Sequence, residues 1–179
     1  MAKDFHNKPF DDETILKLQI FQGYIREWLP VFLSGKSFSA IYIFDFFAGP
    51  GKDLNDQDGS PLIILDEVEK YLSNPRLPHS DKVSIHLFFN DDNYDKILSL
   101  HKEIESKEKA SVKIEITNNE FQQAFNDRKF LLNSSSELPI PIINLSNSFN
   151  AFCTTVKCPL WNGWNLPINA AFFILIKLI

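Results

Sequence analysis

Apolar residues recur at spacings of three and four between Asp12 and Leu33. Leu18, Phe21, Ile25, Trp28 and Phe32 lie on one stripe and predict an amphipathic helix. Asp11, Asp12 and Glu13 suit its start through the helix dipole, and Pro30 predicts a kink or a shortened end. Residues 40–47 form an apolar, β-branched and aromatic run of strand length, with the continuity of a strand buried on both faces. Gly49-Pro50-Gly51 stops it, and residues 52–59 read as a polar loop. Ser60-Pro61 predicts the next helix, with Ser60 as N-cap and proline in its first turn, running on over 62–72.

The same alternation continues. Strands are predicted at 83–89, 112–116 and 140–145, and helices at 92–106 and 121–132. Tyr94, Ile97, Leu98, His101 and Ile104 mark the inner side of the first of these helices, while Lys113 and Glu115 point outward from the third strand. A further strand is expected near 172–176. Strand–helix alternation implies parallel pairing through right-handed crossovers. The fold class expected is therefore α/β: a Rossmann-like, doubly wound, mostly parallel sheet of about four to five strands with a leading helix. In such sheets a ligand sits outside the carboxyl ends of the strands, so the residues just after each strand are the candidates.

Composition adds one feature. With 179 residues, 44% hydrophobic and 23% charged, the chain is sized for a single domain. However, the first 138 residues hold all 23 acids and 16 of the 18 basic residues, a net charge of −7; the rest holds only Lys157 and Lys177. Residues 10–145 read as the core and 146–179 as an atypical, apolar, acid-free tail. Overall net charge is −5, so charge does not indicate nucleic-acid binding, although a local basic patch remains compatible with it. The apolar run at 168–179 is short for a membrane span. Cys153 and Cys158 make no disulfide framework or metal motif. With no apolar leader, a cytoplasmic setting is expected.

After the first strand comes Asp45-Phe46-Phe47-Ala48-Gly49-Pro50-Gly51. A dinucleotide fingerprint needs a third glycine opening into a helix, and here Leu54 stands in its place. A P-loop needs Ser or Thr after Gly51-Lys52, where Asp53 stands. What remains is a strand acid and a glycine turn. That suits S-adenosylmethionine, whose cationic amino and sulfonium groups favour an acid and whose carboxylate takes backbone N–H groups. The alternative is an Asp45 that only ties down the loop. After the second strand, Asp91 is the first choice for the ribose hydroxyls, with Asp92 as helix cap or alternative ligand. After the third, Asn118 and Asn119 are candidates for an adenine contact, with Asn119 equally suited to capping a helix. No catalytic motif is present. His6, His79, His86 and His101 are scattered, and Cys158 precedes Pro159, the reverse of the cytosine-methylating order.

Three segments resemble the bacterial three-Cys-motif partner proteins: residues 13–29 of the leading helix, Tyr42 to Gly51, and Gly59-Ser60-Pro61-Leu62. The stretch Asp45-Phe46-Phe47-Ala48-Gly49-Pro50-Gly51 is also similar to the first cofactor motif of class I methyltransferases. The resemblance covers roughly residues 10–132. It implies a methyltransferase-like fold, S-adenosylmethionine as cofactor, and a partner protein carrying a three-cysteine motif. By position it implies that Asp45, Phe47, Ala48, Gly49 and Gly51 line the cofactor loop and that Ser60 opens the next helix. Two departures stand out. The family's paired acids after the second strand fall on Asn90 and Asp92 here. The expected Asp-Pro-Phe-Gly-like turn is replaced by Ile140-Pro141-Ile142-Ile143-Asn144-Leu145, which fits a truncated or altered C-terminal end and an incomplete class I sheet. The expectations are thus a cofactor-binding methyltransferase-like protein or an inactive accessory subunit that acts through protein contacts, with oligomerisation through an open sheet edge. A nucleotide-sugar or NAD enzyme is disfavoured by the missing glycine.

Overall fold

The computed structural model describes residues 8–34, 40–77, 83–105, 112–133, 142–144 and 173–178. The elements run α1 (Asp12–Leu33), β1 (Ala40–Asp45), α2 (Ser60–Ser73), β2 (Ser84–Asn90), α3 (Tyr94–Glu105), β3 (Val112–Thr117), α4 (Phe121–Asn133), β4 (Ile142–Asn144) and β5 (Phe173–Leu178). Every element expected from the pattern is present, with ends moved by a few residues. Cys153, Cys158, Trp161, Trp164, His6, His79 and most of the acid-free tail lie outside the described residues.

β1, β2 and β3 pair in parallel, with Ile43 opposite Leu87 and Leu87 opposite Ile114. The sheet order is β3-β2-β1-β5-β4. β5 runs antiparallel to both β1 and β4, so β4 points the same way as β1 without touching it. This corrects the expectation of parallel pairing for the last strands. β5 returns directly from β4, and two antiparallel strands need no helical crossover. The slot it fills beside β1 is flanked on both edges, which suits its near-continuous apolar sequence.

Helices cover both faces of the parallel strands. Ile41, Ile43, Ile85, Leu87 and Phe89 face α1, α2 and α3. The alternate residues Phe44, Phe46 and Phe88 pack with Ala124, Phe121 and Phe125 of α4. The period-2 alternation along β1 and β2 assigns each residue to one layer or the other. The molecule is thus mixed α/β with a three-stranded parallel core, consistent with a Rossmann-like fold.

α1 begins as expected: Asp11 caps it, accepting from the Thr14 N–H at 2.8 Å. Pro30 does not end it. The helix runs on to Leu33, and the Pro30 carbonyl accepts from the Ser34 N–H at 3.1 Å. The buried stripe of α3 is Ile97, Leu100 and Ile104; Tyr94 and Leu98 are exposed. The sequence stripe was drawn one position off, because the helix starts at Tyr94 rather than Asp92. Between α1 and α2, the buried Glu67 carboxylate accepts from Gln22 at 2.8 Å and from Arg26 at 2.9 and 3.1 Å. Among the described residues, no helix is long and apolar enough to cross a membrane.

Candidate functional site

The three parallel strands end side by side, with Asp45 opposite Phe89 and Asn90 opposite Thr117. Leaving β1, the chain bends toward β2, and the Ala48 N–H donates to the Asn90 carbonyl at 2.8 Å. Gly49 (φ +68°) and Gly51 (φ +90°) then turn it through a backbone region that L side chains rarely adopt. A side chain at Gly51 would also meet α3, since a Cβ there would lie 3.1 Å from Leu100 Cδ1. The polar loop that follows closes on itself. Gly59 N–H donates to the Gly51 carbonyl at 2.7 Å, and Asp53 accepts from the N–H groups of Phe10, Asn55 and Gln57. Asp53 is thereby a loop organiser.

Asp45 is fully buried. Its carboxylate accepts from the Ser60 hydroxyl at 2.6 Å and from the Phe47 N–H at 3.1 Å. Burial pushes its pKa up to about 7, against the lowering effect of those two donors and with a smaller upward push from the Asp91 charge. Ser60 therefore does not cap α2. Gly59 occupies the N-cap, Pro61 lies in the first turn, and the Ser60 hydroxyl turns inward to Asp45.

Asp91 reaches across to the same loop. Its Oδ2 accepts from the Gly49 N–H at 3.1 Å, its Oδ1 from the Asn93 N–H at 3.0 Å, and Lys96 Nζ stands 3.5 Å from Oδ1. The two acids thus hold the glycine turn from both sides. Asp92 is exposed and does not cap α3. That role falls to Asn93, whose side-chain oxygen accepts from the N–H groups of Asp95 and Lys96 at 2.9 and 3.3 Å.

Asn90, which sequence reading noted only as a departure from a family pattern, is the most connected residue of the edge. Its amide donates to the carbonyls of Phe46 and Asn119, and its oxygen accepts from the Thr117 hydroxyl and the Asn119 N–H, at 2.8 to 3.3 Å. The signal was present: a buried polar residue closing an apolar strand must find partners. Asn119 joins the edge through its main chain, and the Asn118 amide donates to the Asp91 carbonyl at 2.8 Å. Phe47 lies at the rim, 38% exposed, with its ring stacked on Phe121 at a centroid distance of 5.3 Å.

Asp45, Phe47, Ala48, Gly49, Gly51, Asp91, Asn118 and Asn119 therefore all gather at one edge, with Asp92 on its outer side. Two carboxylates beside a glycine turn attract a cation and offer acceptors to hydroxyl groups. Among the described residues no cluster of His, Cys, Asp and Glu is arranged to hold a metal ion. Comparison of the chain with known proteins found no matching family model, no similar curated protein and no similar solved structure.

Proposed function

We propose that the chain binds S-adenosylmethionine at this edge as a class I methyltransferase-like protein. The observation that carries the reading is Asp45: a buried carboxylate, raised to about 7, directly beneath a turn with two positive-φ glycines. A cationic ligand above it favours the ionised form and relieves the cost of burying that charge. Asp91 fits the ribose role by acceptor capacity. A carboxylate offers roughly four lone-pair sites, and Gly49, Asn93 and Lys96 use three, leaving one at the edge. Phe47 and Phe121 supply an aromatic wall beside it. When bound, the cofactor supplies an electrophilic methyl group; the residues named here bind and orient it. The methyl acceptor, and a partner carrying a three-cysteine motif, rest on the sequence resemblance.

The test is the Asp91→Ala variant. It weakens S-adenosylmethionine by roughly tenfold or more, the worth of a hydrogen bond to a charged group, while Asp92→Ala binds as wild type. Equal affinity of Asp91→Ala and wild type contradicts the assignment.

One observation favours a second reading, an accessory subunit without catalysis. The family's acid position after β2 is Asn90, and its four contacts are all internal. A folded sample that binds no cofactor supports this reading over the first.

A further inference from the structure

A second recess lies away from the glycine turn, on the sheet face that α4 only partly covers. Its volume is about 230 Å³. The floor is aromatic, built from Phe44 and Phe88, which pack at 5.9 Å between centroids. One wall is a cross-strand row in which Tyr42 lies opposite His86 and His86 opposite Lys113. The Tyr42 and His86 rings stack at 4.4 Å. The other wall is Arg128 of α4, which lies over the Phe88 ring at 4.5 Å and pairs with Glu115.

The charges decide what such a recess accepts. Arg128 and Glu115 neutralise one another. Burial, then the charge of Lys113, holds His86 below the usual histidine range, so its ring is neutral at pH 7. Lys113 is exposed at the mouth and, among the described residues, has no carboxylate partner. The recess thus carries one uncompensated cation beside an aromatic floor, in a chain whose net charge is −5. Its volume falls below the roughly 300 Å³ at which drug-sized ligand pockets begin. A nucleoside cofactor is therefore too large, whereas a single aromatic ring is of suitable size.

We propose that this recess is a binding site for a small aryl carboxylate, with its ring on the Tyr42–Phe44–Phe88 surface and its carboxylate at Lys113. The site is built from the face of the sheet, so it does not depend on the glycine turn or on the cofactor reading.

Benzoate and its neutral isostere benzamide are the probes. The full chain is titrated with each, following the His86 ring protons by NMR. Benzoate is expected to shift them saturably and to bind about tenfold tighter than benzamide. Lys113→Gln, at an exposed position on the edge strand, is expected to abolish that preference while leaving benzamide binding unchanged. Arg128→Gln separates the two cations: it frees Glu115 and is expected to weaken benzoate further rather than restore it. The proposal is overturned if the two probes bind alike, if neither saturates, or if Lys113→Gln retains the preference.

Discussion

Asp45 and Asn90 are both buried polar residues at the same sheet edge, and they behave differently. Asp45 has a pKa of about 7 in the fold against an ordinary value of 3.8. Since the folded value lies above the unfolded one, the folded chain holds this proton more tightly. The associated stability is complete below pH about 4 and is lost as pH rises through 7. Asp45→Asn removes this dependence. Urea unfolding is expected to show the variant gaining on wild type between pH 5 and pH 8; a constant difference between the two proteins contradicts the assignment. Asn90 has no such titration. Its contribution is geometric, because it ties together the backbone that follows all three parallel strands. Asn90→Ala leaves two carbonyls and an N–H without their partner in a buried place, at a cost of about 3 kcal/mol, readable as a lower urea midpoint with an unchanged slope.

Elements explain why much of the fold was legible and part of the site was not. The 3.6 and 2.0 periods locate α1 and the three parallel strands because each buries a continuous apolar face. The same logic failed for α3, where Asp91-Asp92-Asn93 offers three capping side chains in succession; only packing decides that Asn93 caps the helix and Asp91 turns to the glycine loop. It failed again at Ser60, since a serine before proline has the pattern of a cap whether its hydroxyl serves the helix or a buried acid behind it. The sequence placed every candidate at the right edge but did not distinguish loop-holding from ligand-facing roles. Two glycines show the contrast at element level. Gly51 has positive φ and a close α3 neighbour, so Gly51→Ala is expected to cost at least about 1–2 kcal/mol. Gly23 sits inside α1 with open space where a Cβ would go, so Gly23→Ala is expected to stabilise by about 0.5–1 kcal/mol. Thermal unfolding of the pair checks both; a loss at Gly23 equal to that at Gly51 contradicts the distinction.

The whole molecule combines a parallel three-stranded core with an antiparallel return through β5. That return changes the sheet beside β1, the place where doubly wound sheets reverse direction and bind ligands. Parallel pairing was a fair inference from strand–helix alternation, but nothing local in the sequence sets the direction of a strand that follows no helix. The C-terminal ends of β1, β2 and β3 remain together regardless, and the acids and glycines are held there by the contacts described above. The central claim concerns what that edge binds, and its most direct test is calorimetric titration of the full chain with S-adenosylmethionine at pH 6 and pH 8, with S-adenosylhomocysteine and NAD as comparisons. Saturable micromolar binding is expected, tighter at pH 8, where Asp45 is ionised, than at pH 6, and absent for NAD. A folded sample that gives no heat with S-adenosylmethionine, or that binds NAD as well, contradicts the account.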